Sequence, residues 1–260
     1  MTVLDTTVGA MRVRVHRDPG ALATAAADQV AGVLRDAIAT RGVAHAMFAT
    51  GNSQIAMLDM LVRDSTVDWS RVVGFHMDEY VGIPDSHPAS FRRYLRERIS
   101  ERVPVGAFHF IDGDAADLDS ECARYAALLR EYPLDLCCLG IGENGHLAFN
   151  DPPVADFHDP LDVKVVELDD ACRRQQVGEG HFPDMATVPT HAVTVTIPAL
   201  LRAATVVAVV PEARKAEPVR RALMGPVDTT CPASILREHE QVTLHLDVDS
   251  ASAWRGAATG

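Results

Sequence analysis

The run Leu134-Asp135-Leu136-Cys137-Cys138-Leu139-Gly140-Ile141-Gly142-Glu143-Asn144-Gly145-His146-Leu147-Ala148-Phe149-Asn150-Asp151 joins two unlike kinds of sequence without a linker. Its first part, Leu134 to Gly140, is apolar on successive residues rather than alternate ones, which suits a strand buried on both faces. Cys137 and Cys138 should then point to opposite sides of a sheet. Its second part is a glycine-rich exit that reaches a histidine, and its glycines let the backbone come close to a ligand. A strand buried in this way needs strands beside it and helices above and below.

Outward from this run, apolar stretches of strand length alternate with amphipathic stretches of helix length, and no repeat, low-complexity tract or Pro-, Gly- or Ser-rich linker interrupts them. Strands are expected at Met11 to His16, Ala44 to Thr50, Val72 to His76, Phe108 to Asp112, Leu134 to Gly140, Val163 to Leu168, Thr205 to Val210 and Val242 to Asp247. Helices are expected at Gly20 to Thr40, Ser53 to Val62, Ser90 to Ser100, Leu118 to Glu131, Pro198 to Ala203 and Ala213 to Met224. The alternation predicts one α/β domain over residues 1–260: a doubly wound, mostly parallel, Rossmann-like sheet with helices on both faces. A chain of 260 residues that is 47% hydrophobic can bury one large core of this kind. Ligands of such sheets gather beyond the carboxyl ends of the strands, so the residues after Thr50, His76 and Gly140 are the first places to look.

The bulk composition narrows the partners. A formal charge of -12 argues against nucleic acid and acidic membrane surfaces, which both require a basic face. A small anion remains compatible, because screening over about 8–10 Å lets local donors outweigh distant carboxylates. No stretch approaches a membrane span, and the first residues do not resemble an export signal, so a cytoplasmic protein is expected. The five cysteines (Cys122, Cys137, Cys138, Cys172, Cys231) have neither a disulfide framework nor a zinc spacing.

Three strand exits carry polar chemistry. Ala49-Thr50-Gly51-Asn52-Ser53 lies between an apolar strand and a helix, where free backbone N–H groups suit a phosphate; the alternative is a tight turn with Asn52 or Ser53 capping the helix. His76-Met77-Asp78-Glu79-Tyr80-Val81-Gly82 sets two adjacent carboxylates at the next exit. One can face the site and the other a structural partner, and a partly buried carboxylate can take a proton from carbon beside a carbonyl or imine. A metal site built from His76, Asp78 and Glu79 is disfavoured, since neighbours on a strand alternate in direction and no second cluster has ligand spacing. In the third exit His146 can shuttle a proton near neutral pH, with Asn144 and Asp151 close enough to orient its ring if the loop folds back. Lys215, just after the strand Thr205 to Val210, could reach a phosphate from a fourth exit.

Taken in order, these motifs resemble the glucosamine-6-phosphate deaminase family across almost the whole chain. Ala49-Thr50-Gly51 resembles its phosphate loop, and Asp78-Glu79-Tyr80-Val81-Gly82 with His87-Pro88 and Ser90 resembles its most diagnostic segment. Gly140 to Asn150 resembles its catalytic loop, and Pro232-Ala233-Ser234 with Leu236 resembles its late signature. The resemblance implies an isomerase and hydrolase of amino-sugar metabolism. His146 would assist ring opening and Asp78 would move a proton between C2 and C1, after which water would displace ammonia. His146 would be oriented by Asn144 and Asp151. Thr50, Gly51, Asn52, Ser53, Glu79, Gly145 and Lys215 would hold the substrate and its phosphate. No cofactor and no metal are implied, because the substrate's own carbonyl and amine supply the stabilised enolamine. A homo-oligomer is compatible with the resemblance.

The chain also departs from the family pattern. Asn144 stands where an acid is frequent, Asp151 where Glu is usual, and Gln54 where a proline often follows the phosphate loop. An ungapped alignment back from Val188-Pro189 puts Gly180 at the position of a phosphate-binding arginine, for which Arg173 or Arg174 would have to substitute. The segment Pro152 to Asp162 lacks the Ser and Arg pattern of members activated by an acetylated sugar phosphate, so no such activation is expected. Glucosamine-6-phosphate is the expected substrate, with galactosamine-6-phosphate or another amino-sugar phosphate as the alternative. A 6-phosphogluconolactonase would be expected to carry Asp-Glu-Arg in place of Asp78-Glu79-Tyr80. A sugar-phosphate-sensing regulatory domain would be expected alongside a DNA-binding module.

Overall fold

A computed structural model describes residues 1–257 of the chain; residues 258–260 of the expected domain lie outside the described residues. The strands are β1 (Thr2–Val8), β2 (Met11–His16), β3 (Ala44–Phe48), β4 (Val72–His76), β5 (Asp78–Tyr80), β6 (Ala107–His109), β7 (Leu136–Leu139), β8 (Val163–Glu167), β9 (His191–Val195), β10 (Thr205–Val210) and β11 (Val242–Asp247). Eight of them form one sheet in the order β1-β2-β11-β10-β7-β3-β4-β6. All its pairings are parallel except that of β1 with β2 at the edge.

The unrelieved apolar strands are covered on both sides, as their sequences require. Leu136, Cys138, Val207 and Val209 pack on one face against helices α1 (Pro19–Arg41) and α2 (Ile55–Leu61). Cys137, Leu139, Val206, Ala208 and Val210 pack on the other, against helices α4 (Leu118–Glu131), α6 (Ile197–Leu201) and α7 (Ala216–Met224). Burying one such side chain contributes about 1.5–3 kcal/mol. The long helix α1 starts where Asp18 accepts a hydrogen bond from Ala21 N at 2.7 Å and stops at Gly42, which takes a left-handed φ of 81°.

Other elements correct the sequence reading. The stretch expected as a strand at Val163 to Leu168 does not join the main sheet: β8 pairs with β9, and β9 with β5, in a separate antiparallel sheet of order β5-β9-β8. Strand β5 is three polar or aromatic residues long, too short for periodicity to register. Strand β1 is an edge strand whose side chains alternate between half-buried and exposed, so its apolar signal is weak. Helix α5 (Asp170–Gly178) buries only Cys172 and Gln176; its visible cue is Asp169, which accepts from Cys172 N at 2.6 Å. The expected helix Ser90 to Ser100 divides into α3 (Phe91–Leu95) and a π-turn over Arg96–Ser100, and the strand expected at Phe108 to Asp112 shortens to Ala107–His109.

Away from the strand exits, β2 and β11 bury two histidines in a defined proton arrangement. Gln29 Nε2 donates to Thr243 Oγ1, which leaves Gln29 Oε1, 2.8 Å away, to accept from His245 Nε2. His245 Nδ1 must then accept from His16 Nε2 at 3.0 Å, so the His245 ring is neutral. Burial, followed by the nearby Arg14 charge, lowers His16 to about 4; burial and His16 lower His245 to about 3. Because the unfolded chain takes up these protons near 6.5 and the folded chain does not, stability falls as pH drops from about 6.5 toward 4. Thermal unfolding should record that loss, and His245→Gln should flatten it; an equally steep profile in the variant would show that other groups cause it.

Candidate active site

Because strands β10, β7, β3 and β4 are parallel neighbours, their carboxyl ends open on one edge of the sheet. After β3 the chain builds outward through β4 and β6; after β7 it builds the opposite way through β10 and β11. The reversal between β3 and β7 leaves a crevice. There a cleft is lined by Thr50 to Ser53 from the β3 exit, Asp78 after β4, Gly140, Gly142 and His146 after β7, and Lys215 after β10. Four separate strand exits meet in it.

The loop after β7 is folded around His146. Its Nδ1 stands 2.8 Å from Asp151 Oδ1, so the shorter carboxylate reaches the ring directly. Asn144 Nδ2 donates to the same oxygen at 2.8 Å, and Asn144 Oδ1 accepts from His146 N at 3.0 Å. Asp151 is fully buried; burial opposes its charge, but His146 and Asn144 outweigh that and hold the carboxyl below its ordinary range. The glycines serve packing more than ligand approach: a Cβ on Gly142 would lie 2.3 Å from the His146 ring, and one on Gly145, at φ 92°, would lie 2.7 Å from Cys231 Sγ. Behind this loop, Ala233 N donates to Gly145 O at 2.8 Å, which gives the Pro232-Ala233-Ser234 segment its place.

The paired carboxylates separate by role. Asp78 lines the cleft at 6% exposure, and its Oδ1 has no hydrogen-bond partner among the described residues. Burial, and then the Glu79 charge beside it, raise its carboxyl well above the aspartate range. Glu79 turns away from the cleft, contrary to its expected substrate contact: its carboxylate accepts from Ser90 Oγ at 2.7 Å, Arg92 N at 2.9 Å and Phe91 N at 3.1 Å, anchoring the start of α3. His76 Nε2 accepts from Ile111 N at 2.7 Å, so His76, Asp78 and Glu79 do not converge as metal ligands. His146, Asp151 and Cys172 do lie within 4.8 Å of one another. Burial, and then Asp151, push the Cys172 thiol well above its ordinary range, however, and Asp151 Oδ1 already accepts from Asn144 Nδ2.

At the other end of the cleft, neither Asn52 nor Ser53 caps a helix; Ser53 Oγ accepts from Gln54 Nε2 at 3.0 Å. Gln54 is fully buried, and its Nε2 reaches Leu139 O and Val209 O, both at 3.3 Å. It thereby ties together the ends of β7 and β10, a contact that proline could not make. Lys215 is 4% exposed, lines the cleft and has no acceptor among the described residues. Burial lowers its ammonium pKa, against the pull of Glu179.

A family model described as glucosamine-6-phosphate isomerases/6-phosphogluconolactonase matches residues 17–245. The chain belongs to this family. A glucosamine-6-phosphate deaminase of an Exiguobacterium species is 38% identical over 206 residues, 78% of each chain, and one of Bacillus cereus is 36% identical over 204 residues, 78% of this chain and 76% of that one. Among solved structures, a monomeric glucosamine-6-phosphate deaminase superposes with a TM-score of 0.85 at 28% identity, covering 93% of this chain and 99% of the other. A 6-phosphogluconolactonase from Shewanella baltica superposes at 0.76 with 19% identity, covering 93% and 98%, a likeness of fold.

Against the family's pattern, the expected substitute arginine does not enter the site. Arg173 Nη2 donates to Met185 O at 2.6 Å and Val188 O at 3.2 Å, so it braces the segment after α5, and Arg174 lines a shallow depression outside the cleft. Gly180 is a left-handed turn (φ 81°), and the residues on either side of it, Glu179 and His181, line the cleft together with Gln175, Gln176 and Arg214. Sequence reading missed these five. Gln175 and Gln176 stand beside the arginines that drew attention, and Arg214 beside Lys215, but only the fold of α5 over the strand exits turns them inward.

Asp78 provides a stability test of this family member's site. Its raised pKa makes its ionisation unfavourable to the fold; that cost is absent below its unfolded value near 4 and grows as pH rises through the gap to the folded value. Asp78→Asn should therefore be more stable than the parent at pH 8, by about 1–3 kcal/mol, with the difference vanishing in acid. A lower Tm for the variant at pH 8 would contradict an unpartnered carboxylate.

Proposed function

We propose that this chain converts glucosamine-6-phosphate and water into fructose-6-phosphate and ammonia, an isomerisation followed by a hydrolytic loss of the amine. The observation that carries this reading is the buried, unpartnered Asp78 carboxylate facing the same cleft as a His146 ring fixed by Asp151. One group is a base held at raised pKa, and the other a proton carrier held in one orientation.

In this reading His146 delivers a proton to the ring oxygen as the hydroxyl at C1 loses its own, opening the sugar to an aldehyde. Asp78 then removes the proton from C2, and the electron pair forms the C1–C2 double bond while the π pair of the C1 carbonyl moves to its oxygen, which takes a proton from His146, giving an enolamine. Return of that proton to C1 leaves a protonated imine at C2. Water adds there, and the C–N bond breaks as the nitrogen departs protonated as ammonia, leaving the ketone. Asp151 stabilises the imidazolium that forms when His146 is protonated. Lys215 and the backbone donors of Thr50 to Ser53 hold the phosphate and so fix C2 over Asp78. Asn144 serves by holding Asp151 and His146 in register, and Gly145 by giving the loop room against Cys231.

Purified protein offered glucosamine-6-phosphate should release ammonia, and Asp78→Asn should abolish turnover while leaving substrate binding largely intact. Because the base must be ionised and its pKa is raised, kcat/KM should fall in acid along a limb lying above the ordinary aspartate range. Release from galactosamine-6-phosphate alone would reassign the sugar, and silence with both would overturn the reading. Lys215→Ala should raise KM at least about tenfold with a smaller effect on kcat, the pattern of a group that binds substrate and transition state alike; an unchanged KM would remove Lys215 from the phosphate end.

A further inference from the structure

The phosphate end of the cleft carries more charge than one ammonium. Arg214 stands immediately before Lys215 on the same short turn, and both line the cleft. That turn is set by Glu212, whose φ of 83° is left-handed and uncommon for a residue with a Cβ. Glu212 N donates to Asp247 Oδ2 at 3.0 Å, and the Glu212 carboxylate accepts from Arg214 Nε at 2.7 Å. Arg214 is thus aimed by the backbone that carries it.

Its charge is held by three carboxylates of unlike standing. Arg214 Nη1 donates to Glu179 Oε1 at 2.7 Å and reaches Glu143 Oε1 at 3.3 Å. The Glu143 and Glu212 side chains are about half exposed, at 48% and 47%, whereas that of Glu179 is 8% exposed and lines the cleft itself. A buried carboxylate beside Lys215 repels an incoming phosphate, so it opposes the binding that the rest of this end favours. It makes physical sense as the partner of Arg214 while no phosphate is bound, because an arginine and a lysine side by side at a half-closed site otherwise repel each other.

Resting on the reading of this cleft as a sugar-phosphate site, we propose that Glu179 is an exchangeable counterion: the substrate's phosphate displaces it from Arg214, and Arg214 joins Lys215 as the second cation that holds the phosphate. Arg214 Nη2 has no acceptor among the described residues, so the planar fork can present two donors to phosphate once Nη1 is released. Glu179 does not become an orphan in the exchange. It keeps the hydrogen bond from Gln175 Nε2 at 2.9 Å. The pair also fixes selectivity, since a ligand must outcompete a carboxylate for the guanidinium, and a doubly charged phosphate does so better than a singly charged acid.

Calorimetric titration of the intact protein with inorganic phosphate at pH 8 and low salt tests this without relying on turnover. Arg214→Ala should weaken phosphate at least about tenfold and Arg214→Lys, which keeps the charge and guards against misfolding, about threefold. Glu179→Gln should tighten it about three- to tenfold, and that gain should disappear in the Arg214→Ala background. Phosphate affinity unchanged in both Arg214 variants, weaker binding by Glu179→Gln, or no phosphate binding by the parent protein would overturn the proposal. A gain from Glu179→Gln that survives without Arg214 would also overturn it, because distant repulsion alone would then explain the effect. Failure of the deaminase reading is separate: phosphate binding would follow the expected pattern while no ammonia appears.

Discussion

Strands buried on both faces leave a sheet only one place to meet a ligand with polar groups, its edge at the strand ends. In this chain the successive apolar residues of β7 and β10 fill two separate layers of core, so none of their side chains can contribute chemistry. The polar residues that follow them emerge together because parallel strands end on the same side. The cleft is a consequence of that alignment, and the reversal of direction between β3 and β7 opens it.

The site uses buried charge in two opposite ways. Asp151 is held below the ordinary carboxylate range by His146 and Asn144, both within 2.8 Å of its Oδ1. Asp78 is buried and without a partner at Oδ1 among the described residues, and its carboxyl is raised well above the aspartate range. Glu79, its neighbour, shows how close the two fates lie: the reversal of direction along a three-residue strand turns it from the cleft into the start of α3, where backbone and side-chain donors satisfy it. A parallel contrast separates Lys215, without an acceptor among the described residues, from Arg214, which has three.

The comparison with sequence follows from what carries each signal. The strands Met11–His16, Val72–His76, Thr205–Val210 and Val242–Asp247 have the expected bounds because continuous apolar runs between polar exits are local features. The second sheet escaped because β5 and β9 are held by pairing with each other, and because the run at β8 reads alike whichever sheet receives it. Asp78, Asn144, His146, Asp151 and Lys215 could be singled out because each lies in a polar segment that follows an apolar strand. Glu79 and Arg173 were misplaced because direction around a strand or helix depends on which partners are available. Glu179, His181 and Arg214 were passed over although they adjoin Gly180 and Lys215, because a neighbour's position does not tell which way a side chain turns.

By itself, then, the sequence determined the layered parallel fold, the four exits where chemistry gathers and the family to which the chain belongs, since apolar periodicity and motif spacing are written along the chain. Tertiary structure alone decided which carboxylate faces the cleft, which arginine enters it and which acid neutralises that arginine. Those outcomes depend on distances between residues far apart in sequence, such as Arg214 and Glu179, and a charge takes its role from whatever the fold brings within a few ångströms of it.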